Sequence, residues 1–246
     1  MGLLGFGAVI IFILSECRHT GFSFDDAVYL LALSMIGMII GAKVLYLVTA
    51  IPEIIGSWNQ ISTNPLAYVK AYLSGGMVFY GGLFGGIFAA KVAASYFHIH
   101  LATHYDIFVP AIPLFAGFGR LGCLMEGCCF GKKAEHFPYI VFHTSLFAPN
   151  DVPLIPTQLY EAVFDFFLFC MLMHLASKKE CVSRLLVIYL AVYAMFRFVI
   201  EFFRGDSVRG VFLLSTSQWI SALILCALLI GRLRSGIRRE QAGNKL

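Results

Sequence analysis

Charged residues are scarce in this 246-residue chain: Asp, Glu, Lys and Arg together make up 13% of it, about half the roughly 25% usual for a soluble domain. No CxxC pair and no Cys/His ligand quartet occurs, and the seven cysteines stand singly apart from the neighbours Cys128 and Cys129. That pattern excludes a zinc ribbon and a small disulfide scaffold. No long polar stretch is present to build a soluble nucleic-acid-binding domain. The net charge of +4 gathers in short connections and in a carboxyl tail carrying Arg232, Arg234, Arg238 and Arg239, the pattern of a cytoplasmic juxtamembrane end.

In place of charge, 59% of the residues are hydrophobic and the mean hydropathy is +0.82. The apolar residues recur in blocks of about twenty, enough at about 1.5 Å per helical residue to cross a hydrocarbon layer of roughly 30 Å. The expected fold is an all-α polytopic membrane protein of about seven transmembrane helices, a single integral-membrane domain over residues 1–246. The segments run about 2–14, 27–49, 76–97, 107–129, 156–176, 184–203 and 213–231, and the first is marginal in length. Lys178, Lys179 and Arg184 flank one turn, and the arginine tail lies one hairpin farther on. Both belong inside, so the amino terminus is expected outside and the carboxyl terminus in the cytoplasm. Two long connections, about 51–72 and 131–155, are expected as outer-side arms around a site. The opening residues lack a basic n-region and a clear cleavage site, and read as a retained first helix.

A charge in hydrocarbon costs several kcal/mol unless it finds water, a headgroup or a partner. Two segments carry such charges. GFGRLGCLMEGCCFGKK, Gly117 to Lys133, sets Arg120 and Glu126 among apolar residues and glycines that include Gly127 and Gly131. YAMFRFVIEFFR, Tyr193 to Arg204, repeats Tyr193, Arg197 and Glu201 every four residues, hence on one helix face. Each admits a structural reading as a compensated pair and a functional one in which Arg120 and Arg197 converge on a phosphate while Glu201 orients Arg197 and Glu126 orients Arg120. The segment IPTQLYEAVFDFF adds Gln158, Tyr160 and Glu161 as support for the arginines. In GGMVFYGGLFGGIFAAK, Tyr80 is a hydrogen-bond donor among glycines suited to close helix packing; Lys43 is a weaker candidate that snorkels or pairs. Cys128 and Cys129 read as small helix residues, as an acceptor thiol or as soft-metal ligands.

In order, GGMxFxGGLxGG, GRxGCxxxGCCxG, PTQLYE and YxxxRFxxEFFR resemble the prolipoprotein diacylglyceryl transferase family over nearly the whole chain. The resemblance implies transfer of diacylglyceryl from phosphatidylglycerol to the lipobox cysteine of a preprolipoprotein, with release of glycerol phosphate at the outer face of the bacterial inner membrane. It implies phosphatidylglycerol and preprolipoprotein signal peptides as partners, no cofactor, no metal and no nucleic acid. It makes Arg120, Arg197, Glu201 and Tyr80 the expected catalytic group. Tyr193, Glu126, Gly127, Gly131, Cys128, Gln158, Tyr160, Glu161 and Lys43 are the expected substrate-binding group.

The departures concern proton transfer and the signature. Tyr80 stands where GGMSFHGG has histidine, and Ile155 stands where HPTQLYE has one. Cys123, Glu126 and Cys128 replace the Asn, Asn and Glu of GRxGNFxNGExxG, and Lys43 replaces the arginine of GGRxGY. The alternatives are a phospholipid-dependent transferase with another acceptor, and a noncatalytic lipid-binding or lipoprotein-handling membrane protein.

Overall fold

The computed structural model describes residues 1–57, 65–74, 76–205, 210–211 and 214–243. The chain forms two compact units, Thr20–Leu101 and Met1–His19 with Ala102–Leu246.

The first unit is built on α2 (Phe24–Gly56) and α4 (Phe79–Tyr96), with α3 (Pro65–Ser74) between them in sequence. Ser23 caps α2 by accepting the Asp26 N–H at 3.5 Å, and Asp25 and Asp26 lie in its first turn, where the helix dipole favours negative charge. The two long helices meet through small residues. A Cβ at Gly41 would collide with the Gly81 carbonyl oxygen and lie 2.8 Å from the Gly85 Cα, and Gly37 faces Gly85 in the same way. Gly37 and Gly41 on α2, and Gly81 and Gly85 on α4, are spaced by four and so form one backbone-to-backbone seam. The Val78 N–H donates to the Ala42 carbonyl at 3.2 Å, fixing the entry to α4.

The second unit holds α1 (Gly2–Thr20), α5 (Tyr105–Glu126), α6 (Thr157–Ala176), α7 (Leu185–Ile200) and α8 (Thr216–Gly243). Helix α1 packs on α5, where a Cβ at Gly5 would lie 2.7 Å from Phe118 Cβ. The Phe12 ring meets Phe169 of α6 edge-on at 5.4 Å. Helices α6 and α7 stack Phe164 on Phe196 with centroids 3.6 Å apart. Pro110 and Pro113 lie inside α5 and are both buried; they leave the Asp106 and Val109 carbonyls without their helical donors, a cost tolerated where neighbouring protein covers the backbone.

Burial is inverted relative to a soluble protein. Ile11, Phe88, Phe167 and Leu223 are exposed, whereas Glu161, Asp165, Arg197 and Arg204 are buried. Apolar side chains outside and charges inside are the mark of a lipid-facing surface around a polar interior. Five described helical segments are long and apolar enough to span: Gly2–Thr20, Phe24–Gly56, Tyr105–Glu126, Thr157–Ala176 and Cys181–Phe203. Thr216–Arg232 is a shorter apolar helix. Each of the seven expected apolar segments contains a described helix, although residues 76–78, 127–129 and 214–215 within them are not helical, and the molecule is an all-α, polytopic membrane protein with five candidate spans.

Several boundaries differ from the sequence reading. Helix α4 begins at Phe79 and not at 76, and α5 ends at Glu126, so Cys128 and Cys129 lie beyond the helix and are not the small helix residues expected. Helix α1 runs on through Glu16, Arg18 and His19 to Thr20, because the two basic residues complete its last turn where the dipole favours them. The 51–72 connection is not a loop throughout: Ile51 to Gly56 continue α2 and Pro65 opens α3, while residues 58–64 of that arm, like Gly75, lie outside the described residues. The 131–155 arm is ordered by its backbone. Strands β1 (Ile140–Val141) and β2 (Pro153–Leu154) pair antiparallel, and Gly131 and Lys133 bridge to Arg204 and Leu154. A further two-residue ladder, β3 (Gly210–Val211) with β4 (Leu214–Ser215), precedes α8.

Candidate active site around Glu161

Glu161 lies in the second turn of α6, buried to 3% exposure, and three arginines point at it. Arg197 of α7 donates through Nη1 to Oε1 at 2.5 Å. Arg120 of α5 places Nε 3.0 Å from Oε2. Arg204, just past the short 3-10 turn Glu201–Phe203, brings Nη1 to 3.9 Å from Oε1. Arg197 also pairs through Nη2 with Glu201 Oε2 at 2.7 Å and donates to Ser217 Oγ of α8 at 3.2 Å. One carboxylate thus gathers guanidiniums from α5, α7 and the segment after α7.

The three arginines and two ion-paired glutamates sum to one positive charge. Asp165, one turn beyond Glu161 and 2% exposed, is within electrostatic reach of Arg120, Glu161 and Arg197. Its Oδ1 has no hydrogen-bond partner among the described residues. Tyr193, buried one turn before Arg197, is within the same reach of Arg120 and Arg197. Guanidiniums in a dry site are strong, planar donors to phosphate oxygens, and their spread over three elements leaves an anion several faces to bind.

A turn and a backbone ladder hold this cluster in place. Gly127 ends α5 in the left-handed region at φ 74°, and Cys129 is left-handed as well at φ 61°. Thr157 Oγ1 donates to the Cys129 carbonyl at 3.0 Å and Gln158 Nε2 to the Cys128 carbonyl at 2.8 Å, tying the turn to the start of α6. Residues 130–134 then run between two neighbours: Gly131 N–H donates to Ile155 O at 3.0 Å, Lys132 N–H to Phe203 O at 2.8 Å and Gly205 N–H to Phe130 O at 3.0 Å. A side chain at Gly131 would lie 2.7 Å from Ile155 Cβ, so only glycine lets the strands close. Beyond the end of α5, burial pushes the Cys128 thiol above its ordinary range, and neighbouring Cys129 adds to the effect.

Tyr193, Arg197 and Glu201 therefore share one face of the helix end as their spacing suggests, and packing brings Arg120 to Glu161, which Arg197 also meets. Glu126 differs from expectation. It is exposed at the end of α5, its carbonyl accepts from Ser145 Oγ at 3.1 Å, and the ion-pair partner of Arg120 is Glu161. Gln158 and Gly131 serve the loop backbone, and Tyr160 is half-buried on α6. Tyr80 and Lys43 lie in the Thr20–Leu101 unit. Tyr80 is 2% exposed and stacks near Phe84, and Lys43 Nζ sits 5.0 Å over the Tyr46 ring. Arg204 escaped the sequence reading, although it closes the EFFR element seven residues after Arg197.

The family model described as prolipoprotein diacylglyceryl transferase matches residues 1–233. The phosphatidylglycerol–prolipoprotein diacylglyceryl transferase of Clostridium tetani (strain Massachusetts / E88) is 34% identical over 218 residues, 89% of this chain and 84% of that protein. Phosphatidylglycerol–prolipoprotein diacylglyceryl transferase 2 of Clostridium perfringens (strain 13 / Type A) is 31% identical over 246 residues, 99% of this chain and 93% of that one. A Dehalococcoides mccartyi transferase of the same name is 31% identical over 87% of this chain and 78% of its own length. With a buried arginine cluster in a polytopic membrane protein, these matches establish that the chain belongs to the prolipoprotein diacylglyceryl transferase family, enzymes that move diacylglyceryl from phosphatidylglycerol to a lipoprotein cysteine with no cofactor.

Proposed function

We propose that the arginines around Glu161 bind the phosphate of phosphatidylglycerol and stabilise the glycerol phosphate that leaves. The observation that supports this reading is the convergence of Arg120, Arg197 and Arg204 on one buried carboxylate. In the transfer, the sulfur of the acceptor cysteine attacks the glycerol carbon that bears the phosphoester. A C–S bond forms, the C–O bond breaks with its electron pair going to oxygen, and the thiol proton leaves to a base or water. The phosphate passes from a diester with one negative charge towards a monoester with two. Fixed guanidiniums therefore bind the transition state more strongly than the substrate, which is what accelerates a reaction.

Within this reading Arg120 and Arg197 contact the phosphate, Glu161 and Glu201 set their planes, and Tyr193 donates to the lipid headgroup. Tyr80 is assigned to positioning the acceptor and not to proton abstraction, because a neutral phenol is a hydrogen-bond donor and a weak base. Lys43 adds positive charge, and Glu126, Gly127, Gly131, Cys128, Gln158 and Tyr160 shape the headgroup pocket. The acceptor is the lipobox cysteine of a preprolipoprotein signal peptide arriving laterally through the membrane. The chain is a single integral-membrane domain of seven spans in the bacterial inner membrane, amino terminus outside and carboxyl terminus inside. Its 131–155 arm faces outward.

The test is product analysis by mass spectrometry. Purified protein in phosphatidylglycerol vesicles is given a lipobox peptide or its Cys→Ser counterpart. A diacylglyceryl thioether on the cysteine peptide alone, with equimolar glycerol phosphate, is the expected result. A folded, lipid-bound protein that modifies neither peptide would overturn the acceptor assignment.

A further inference from the structure

Cys123, Cys128 and Cys129 are not used by the transfer described above as thiols, yet their three sulfurs all lie within 4.8 Å of one another. Their sequence spacing conceals this. Cys123 is on the last turns of α5, and the chain reverses through left-handed Gly127 and Cys129, bringing the pair after the helix back onto it. The Cys128 N–H donates to the Cys123 carbonyl at 3.1 Å, closing the turn. All three are half-buried and free of disulfide.

A covalent role in the transfer fails on chemistry. A diacylglyceryl group taken up by an enzyme cysteine would be held as a thioether, whose sulfur is a poor leaving group, so it would not pass on to the peptide.

Ligation is what three convergent sulfurs do well. Zinc–thiolate bonds of about 2.3 Å in a trigonal plane require sulfurs about 4.0 Å apart, and the three sulfurs here already lie within 4.8 Å of one another. Soft thiolates select soft cations over hard ones. Three thiolates around a divalent ion carry one net negative charge, and Arg120, one turn before Cys123, lies within electrostatic reach of Cys123 and Cys129 as well as of Glu161. The backbone of the turn is already held by Thr157 and Gln158 through the Cys129 and Cys128 carbonyls. The site is thus preorganised on the protein's own hydrogen bonds.

We propose that Cys123, Cys128 and Cys129 form a three-thiolate site for a thiophilic d10 cation, Cu(I) or a divalent ion of the Zn(II) and Cd(II) class. On binding, three S–H bonds are replaced by three metal–sulfur bonds and three protons pass to water. No oxidation occurs, and the ion is a ligand of the turn and not a reagent in the transfer. It joins the end of α5 to the segment that leads into Gly131.

The test uses the full-length chain in phospholipid nanodiscs, reduced with a phosphine and kept anaerobic. Cd(II), Zn(II) and Cu(I) are titrated separately, with native mass spectrometry for stoichiometry and sulfur-to-metal charge-transfer absorption for ligand number. One ion per chain is expected, with a Cd(II) band of three-thiolate intensity. Cys123→Ser and Cys129→Ser should each weaken binding at least tenfold, and Cys170→Ser, at an exposed position on α6, should leave it unchanged. Cys128→Ser and Cys123→Ala, checked by circular dichroism and gel filtration, serve if a serine variant misfolds. Uptake by the folded cluster variants equal to that of the parent chain, or no charge-transfer band with any of the three ions, would overturn the proposal. Binding of Cu(I) alone or of the divalent ions alone each supports the site and assigns its ion.

Discussion

At the scale of single residues the design rests on Glu161, which holds Arg120 and Arg197 at once and has Arg204 nearby. Truncating one partner of a buried ion pair leaves an uncompensated charge and costs about 3–5 kcal/mol. Glu161→Ala is therefore expected to lower the thermal midpoint in detergent markedly, while Glu161→Gln, which keeps the shape, costs less. An equal midpoint for wild type and Glu161→Ala would contradict the pairing. Arg204→Met is expected to reduce transfer while leaving the fold intact, read as a rise in KM for phosphatidylglycerol; no change in either parameter would remove Arg204 from the cluster's function. Arg120, Arg197 and Glu201 were legible because charge stands out in an apolar run and because spacing by four sets Arg197 and Glu201 on one face. Glu161 was legible as support for the arginines, but not as the one carboxylate that Arg120 and Arg197 share. Spacing gives faces within a helix, but only the packing of α5 on α6 decides that Arg120 meets Glu161 and not the nearer Glu126. Cys123 and Cys129 were hidden likewise, since the left-handed turn that returns them to one another has no signature in hydrophobic period.

Among the elements, the α2 and α4 pair depends on the absence of side chains at Gly41 and Gly81. Gly41→Val would drive a branched side chain into the Gly81 carbonyl and separate the helices. Loss of the folded fraction is expected by fluorescence-detected gel filtration, while Gly7→Ala on α1, where a Cβ meets nothing within 4 Å, should be tolerated. Equal yields of the two variants would contradict the seam. Gly131→Ala places its methyl on Ile155 and so opens the ladder that carries the turn after α5. It is expected to depress transfer more than stability, checked by rate and thermal midpoint on the same sample. Helix positions were readable from blocks of apolar residues, and their ends less so. Helix α1 outruns its apolar block because Arg18 and His19 suit the last turn, and α2 continues past Pro52 into a connection read as an arm.

For the molecule as a whole, its inverted burial was implicit in composition: a chain with 13% charged residues that keeps Glu161, Asp165, Arg197 and Arg204 inside has lipid as its outer solvent. The proposed orientation, with the carboxyl terminus inside, predicts that a reporter fused after Leu246 is active only in the cytoplasm; activity on the outer side would reverse the topology. The central claim is that guanidiniums gathered by Glu161 stabilise the departing glycerol phosphate. Its most direct measurement compares single-turnover rates of diacylglyceryl thioether formation for the wild type, Arg197→Lys and Glu161→Gln in phosphatidylglycerol vesicles, each shown to be folded. Removing one preorganised charge-stabilising group costs about 10²–10³ in rate, so falls of about a hundredfold are expected for both variants. Rates within twofold of wild type for either folded variant would contradict the account.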